Sequence, residues 1–452
     1  MSFKHMGRRL VLLAAVLAIS ACTLWPFGKT AETDPSPFVT VSGVQFELEG
    51  APYAYVGANF WYGAYLGADG ETGDIDRLRA ELDQLKSLGV TNLRVLGASE
   101  LSPMKNSLKP AFRNASDDYN EDLLRGLDVL LAEMGQRDMK AVIYLNNFWE
   151  WSGGMGTYLS WVNGGDYIDL GDPAHPWPAF PLFNMQFYGN ADANALYRDY
   201  IHAVVTRTNT VTGLRYAEDP AIMAWQLANE PRPGHSPEPG MHALPEFYEW
   251  VDSTARYIKS LDANHLVSTG NEGTFGCAEH VQCFVTAHTS DAIDYLTFHM
   301  WPKNWSWLDD QDMAGTFDRT LTNADAYIDE HLALARQIGK PIVLEEFGLP
   351  RDGGAIAPET ATTYRDRFYA HVFAQVEDSV SAGGPFAGTN FWTWGGAGRA
   401  QHDDGQWQTG DTSYTGDPPQ EAQGLNSVFD TDASTLAVLQ AHAGQLDALS
   451  TR

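Results

Sequence analysis

Eight short apolar runs rich in β-branched and aromatic residues alternate along this chain with helix-length amphipathic stretches, and that alternation limits the fold more than any other feature. The runs fall at 54–58, 92–96, 141–145, 222–227, 266–268, 295–298, 342–344 and 389–393. Between them, apolar residues recur at steps of three and four, as in Ile75, Leu78, Leu82, Leu85 and Leu88, or Ile328, Leu332, Ala335 and Ile338. Such spacing puts one buried stripe on a helix. Continuous apolar strands separated by helices indicate a parallel sheet covered on its outside, and eight units predict closure into a (β/α)8 TIM barrel with enlarged βα loops. A doubly wound open sheet is the alternative.

A barrel assembles its site from residues at the C-terminal ends of its strands. Here those ends carry Asn59, Trp61 and Tyr62; Arg94; Asn146, Asn147 and Trp149; Asn229 and Glu230; Asn271 and Glu272; His299 and Trp301; Glu345 and Glu346; Trp392 and Trp394. Carboxylates, amides, an arginine, a histidine and indoles would be an odd way to build a core, but they suit a polyhydroxylated ligand.

Export is written into the first residues. Lys4, Arg8 and Arg9 precede an apolar run at 10–19, which is too short to span a membrane and stops at Ile19-Ser20-Ala21-Cys22. This resembles a bacterial lipobox, which implies a signal peptide over 1–22 and acylation of Cys22, a lipid anchor to the cell envelope without a spanning helix. An ordinary signal peptide with a chance cysteine is the plainer reading. Residues 23–37 mix Pro, Gly, Ser and charge and read as a tether. The remainder, 38–452, reads as one catalytic domain. With Cys22 acylated, Cys277 and Cys283 form an even pair closing a short loop, which points to a disulfide. A metal site would need more ligands, and neither Cys-x-x-Cys nor His-Glu-x-x-His occurs. The net charge of −29 repels phosphate backbones and anionic lipid, so nucleic acid is excluded as a partner. A neutral substrate fits better, with 14 Trp and 19 Tyr offering flat faces to sugar rings.

Two motifs carry the chemistry. Trp225-Gln226-Leu227-Ala228-Asn229-Glu230-Pro231-Arg232 ends the fourth run, and Val343-Leu344-Glu345-Glu346-Phe347-Gly348 ends the seventh. In order, spacing and strand number the chain resembles glycoside hydrolase family 5, whose members are retaining (β/α)8 enzymes with Asn-Glu-Pro after the fourth strand and Glu-aromatic-Gly after the seventh. The resemblance implies Glu230 as acid/base and Glu346 as nucleophile. Glu345 is the rival, but successive strand residues point to opposite sides, so only one of the two should face the mouth. The resemblance also implies that Arg94 holds Glu346 ionised, Asn229 binds the sugar 2-hydroxyl, His299 sits beside the acid/base, and Trp392 forms the floor of the −1 subsite. Trp61, Asn147, Trp149 and Trp301 complete the expected sugar contacts. Arg232 is left as a supporting ion-pair partner. No cofactor or metal is implied, and a monomer is expected.

Within that family the chain resembles the β-mannanase branch. Leu145-Asn146-Asn147-Phe148-Trp149 replaces the histidine that cellulases carry after the third strand, and Arg215-Tyr216-Ala217 and Gly270-Asn271-Glu272-Gly273 match the branch. It departs from the usual His-x-Tyr-Pro at His299-Met300-Trp301-Pro302: Trp301 has no hydroxyl to give the nucleophile. Together with the long segment 151–189, this is similar to the exo-acting β-mannosidases of the branch, in which enlarged loops close the negative subsites. An endo-acting mannanase with an open cleft is the alternative, and a non-catalytic glycan-binding lipoprotein a more distant one. For 151–189 the plainer reading is an insertion covering a helix on the barrel's outside.

Overall fold

The structure, a computed structural model, describes residues 36–450. The expected signal peptide 1–22 with its lipobox Cys22, and the tether up to residue 35, lie outside the described residues.

Eight parallel strands form one sheet: β1 (Tyr55–Asn59), β2 (Val90–Leu96), β3 (Lys140–Tyr144), β4 (Ile222–Gln226), β5 (Leu266–Ser268), β6 (Leu296–Met300), β7 (Ile342–Phe347) and β8 (Phe386–Phe391). All fall within a few residues of the apolar runs. Every residue of β1, β4, β6, β7 and β8 is buried, because helices cover the outside and side chains fill the inside. The pairing order is β5-β4-β3-β2-β1-β8-β7-β6. Closure falls between the three-residue β5 and β6, where Asp294 N donates to Val267 O (2.8 Å) and Val267 N to the Asp294 carboxylate (2.6 Å). Higher up, Thr297 Oγ1 donates to Asn271 O (2.7 Å).

Each strand is followed by a helix: α1 (Ile75–Ser87), α2 (Glu121–Gly135), α3 (Ala191–Val205), α4 (Leu244–Leu261), α5 (Val281–His288), α6 (Met313–Ile338), α7 (Thr363–Ser381) and α8 (Ala433–Ser450). Short polar side chains start several of them. Asp74, Asn120, Asn190 and Asp312 each accept a backbone N–H of the first turn, satisfying donors that the helix itself cannot. Gly339, at φ 82°, ends α6 in the left-handed conformation that suits glycine. Cys277 and Cys283 are bonded across the entry to α5.

Three features exceed the sequence expectation. A small antiparallel sheet of Thr40–Ser42, Gln45–Leu48 and Ala51–Tyr53 closes the N-terminal end, with Phe46 fully buried against Tyr295 at 5.3 Å between ring centres. The β3–α3 connection contains helices at Gly154–Val162 and Ala179–Asn184. The β8–α8 connection folds back so that Trp394–Gly396 pairs with Val428–Phe429.

Candidate active site

Arg94, near the end of β2, organises the barrel mouth. Its guanidinium is completely buried and donates to Glu346 Oε1 (2.5 Å), Asn59 Oδ1 (3.2 Å), Asn229 Oδ1 (2.8 Å) and Gln226 Oε1 (2.8 Å). Burial alone would favour loss of its proton, but the charges of Glu346 and Glu345 outweigh burial and keep the guanidinium charged. A planar fork with five donors suits this task, because one rigid group fixes acceptors on strands β1, β4 and β7 together.

The strand register separates the two adjacent glutamates. Along β6 and β7, Phe298 pairs with Leu344 but His299 pairs with Glu346, so Glu345 is an extra residue on β7. This bulge breaks the strict alternation assumed from sequence, and both side chains turn toward the barrel axis. They differ in depth. Glu345 is fully buried below the mouth, where Gln226 Nε2 donates to both its oxygens (2.6 and 2.5 Å) and Tyr295 OH to one (3.3 Å). Burial raises its pKa. Glu346 keeps a small exposed edge and lines the cavity at the mouth. Among the described residues, no tyrosine donates to this carboxylate as the family pattern would have it. Besides Arg94, the described contact to Glu346 is His299 Nδ1 at 3.4 Å from Oε2.

Glu230 leaves β4 in the left-handed region, at φ 49°. A non-glycine residue there costs conformational energy, which its surroundings must hold in place. Trp149 Nε1 donates to its Oε2 (2.5 Å) and His299 Nδ1 to its Oε1 (2.7 Å). One side-chain nitrogen or oxygen each from Glu230, His299 and Glu346 lies within 4.8 Å of the others. Burial would strip His299 of its proton, but the Glu346 charge and the Glu230 hydrogen bond raise its pKa to about 9. Burial would also raise Glu230, yet the hydrogen bond and charge of His299 hold it down at about 2. The two groups are coupled: each stabilises the charged form of the other, Glu230 as carboxylate and His299 as imidazolium.

Above these groups lies a cavity of about 330 Å³. Six sequence-predicted residues line it: Trp149, Asn229, Glu230, Trp301, Glu346 and Trp392. Trp301 meets Trp392 edge to face, with ring centres 6.0 Å apart. Arg94 and His299 act from beneath. Two expected sugar contacts are not where the strand-end argument placed them. Trp61 is fully buried, its Nε1 donating to Gly416 O (2.5 Å) and its ring covered by Trp151 and Tyr414. Asn147 is equally buried and accepts from Asn229 Nδ2 (3.1 Å), so it orients a lining residue without lining the cavity.

Residues missed from the sequence enter from loops. Phe275, Asn304 and Trp305 border the β5–β6 side, while Pro418, Gln420 and Glu421 come from the β8–α8 connection. Arg232 lines the cavity as well, its Nε donating to Glu272 Oε2 (2.6 Å). The loop residues carry no periodicity. The one available signal was the length of chain between Trp394 and the last helix. A larger groove of about 980 Å³ lies on the rim around Thr362, Asp366 and Asp432, where Asp432 is already paired with Arg351 (2.6 Å). It holds no facing pair of free carboxyl groups.

Two carboxyl groups facing each other across the C-terminal mouth of an eightfold barrel, one against an arginine and one against a protonated histidine, define a glycoside hydrolase. The comparisons agree. The family model described as GH family 5 beta-mannosidase-like matches residues 36–451, and the chain belongs to that family. It is similar to the glycoside hydrolase family 5 mannosidase of Rhizomucor miehei, with 33% identity and a TM-score of 0.83 over 92% of this chain and 99% of that one. It is 31% identical to putative mannan endo-1,4-beta-mannosidase 4 of Arabidopsis thaliana over 85% of this chain and 88% of the relative. The endo-1,4-beta-mannanase of R. miehei, at 24% identity and a TM-score of 0.64, shares the fold.

Proposed function

We propose that this enzyme hydrolyses β-1,4-mannosidic bonds with retention, releasing mannose from the non-reducing end of manno-oligosaccharides, with Glu346 as nucleophile and Glu230 as acid/base. The observation that carries this reading is the contrast between two carboxyl groups in near contact: Glu346 is held against the Arg94 cation, while Glu230 shares a hydrogen bond with His299. Retaining enzymes keep their carboxyl groups about 5 to 5.5 Å apart, which leaves no room for an intervening water.

In the first step Glu346 attacks the anomeric carbon and the bond to the leaving oxygen breaks. That oxygen takes the proton of the His299–Glu230 pair through Glu230, so His299 holds the proton at a pH where the carboxyl alone would be ionised. A mannosyl-enzyme results. In the second step Glu230 takes a proton from water, hydroxide attacks the same carbon and Glu346 is released. Asn229 spends its Oδ1 on Arg94 and one N–H on Asn147, leaving one N–H for the sugar 2-hydroxyl. Trp392 supplies the floor.

The exo reading rests on what covers the β1 end of the mouth. A tryptophan there would be a natural platform in an open cleft, but Trp61 is sealed under Trp151 and Tyr414 and tied to Gly416. Pro418, Gln420 and Glu421 from the same connection border the cavity beyond Glu346. The closing wall therefore comes largely from the β8–α8 connection. The later part of 151–189 docks instead on the acid/base side, with Tyr188 OH donating to Arg232 O (2.7 Å). Similarity to the R. miehei mannosidase supports the same reading. Mannose should be the first product from mannohexaose by chromatography, with mannopentaose accumulating beside it. An early spread of mannobiose to mannotetraose would replace the exo reading with the endo one that the names of the plant relatives suggest. The leader with Cys22 places the enzyme, in this proposal, on the cell envelope as a lipid-anchored monomer.

A further inference from the structure

Trp177 is the single exposed tryptophan among the described residues, 47% accessible, and it stands on the rim of the catalytic cavity. An indole left in water costs free energy that burial against a partner would recover. Its mount is stiff. His175 N donates to Asp172 O (2.8 Å), Ala179 N to Pro176 O (2.9 Å) and Asp169 N to His175 Nδ1 (3.1 Å). The ring meets His235 of the β4–α4 connection at 5.1 Å and 88°. That contact is perpendicular, and the residue stays about half exposed. The segment is anchored to that same connection through Tyr188 and Arg232.

From this placement we propose that Trp177 is the stacking platform of a distal leaving-group subsite, receiving the second sugar ring beyond the scissile bond. The assignment rests on Glu230 being the acid/base, since Glu230 marks the side on which the leaving chain departs. Trp149, which donates to Glu230, is half-buried and lies nearer the bond. Trp177 stands farther out on the same side, beside the loop that carries Arg232 and His235. The apolar C–H face of a hexose matches a flat, exposed indole. The contact forms only when the substrate is long enough, so it contributes to trisaccharides and longer chains but not to a disaccharide.

The experiment is the ratio of kcat/KM for mannotriose over mannobiose in the wild type, Trp177→Ala and Trp177→Phe. The wild-type ratio should be about tenfold, the size of one good aromatic contact. It should fall to near one in Trp177→Ala, with most of the change in KM, and Trp177→Phe should keep part of it. A loss of activity that leaves the ratio unchanged would mean that Trp177 only props the loop, and the subsite would be refuted. A wild-type ratio near one would refute it too, while leaving the catalytic assignment intact as long as an aryl β-mannoside is turned over. Failure of the wild type on every β-mannoside would overturn the underlying assignment instead.

Discussion

Glu346→Ala should lower kcat/KM on every β-mannoside by roughly 10⁵-fold, the scale expected when a covalent nucleophile is removed from a site that otherwise remains assembled. Binding should survive, because Trp392 and Trp149 still present their faces to the sugar. The variant leaves a gap the size of a carboxymethyl group on the side of the ring that Glu346 would attack. Azide diffusing into it should form α-mannosyl azide from an activated aryl β-mannoside, the inverted product, detectable by NMR. Glu345→Ala should behave differently. It removes the acceptor of Gln226 and Tyr295 beneath the mouth, so it should cost stability and some activity but give no azide adduct. Near wild-type rates in Glu346→Ala beside a dead Glu345→Ala would reverse the assignment.

Glu230→Ala should lower kcat/KM on mannobiose by roughly 10²- to 10⁴-fold, the range of general acid catalysis, and that of a dinitrophenyl β-mannoside far less, because a good leaving group departs without a proton. Equal losses on both substrates would argue against the acid/base role. The same pair should set the alkaline limit of the wild type. His299 is raised to about 9, so the proton of the pair is present below that pH and lost as pH rises through it, and turnover of mannobiose should fall accordingly. On the dinitrophenyl substrate in Glu230→Ala that alkaline limb should disappear, since no proton is delivered in the first step.

The barrel was legible because its period is coarse. Eight buried strands and their helices each repeat a burial pattern over many residues, and errors of one or two positions do not disturb the order. The meeting of Glu230 and Glu346 at the mouth was legible for the same reason, since β4 and β7 are adjacent to their motifs in sequence. What failed was finer than that period. Alternation along a strand was used to separate Glu345 from Glu346, yet a bulge on β7 turns both inward and depth makes the distinction. Trp61 sits at a strand end, as expected of a sugar contact, but the residues that cover it are Trp151 and Tyr414, distant in sequence and unpredictable without the loop paths. Gln226 looked like an ordinary buried strand residue, although its amide bridges Arg94 and Glu345. The aromatic content of 151–189 suits either a wall or a covering insertion, and most of its rings are packed, though Tyr167 is exposed. Yet Tyr188 packs on Phe247 and Trp250 of α4, and Trp177 remains outside. Composition revealed that the loop would be ordered but not which side of the mouth it would dock on.

The central claim is a covalent mannosyl-enzyme on Glu346. A 2-deoxy-2-fluoro-mannosyl fluoride tests it most directly, because fluorine at C2 destabilises the oxocarbenium-like transition states while the fluoride leaving group keeps the first step faster than the second. The intermediate should accumulate. Peptide mass spectrometry of the inactivated enzyme should then find the fluoromannosyl group on the Val343–Gly348 stretch, with fragmentation placing it on Glu346, and Glu346→Ala should remain unlabelled. A label on Glu345, or full turnover of the reagent without an adduct, would contradict the account.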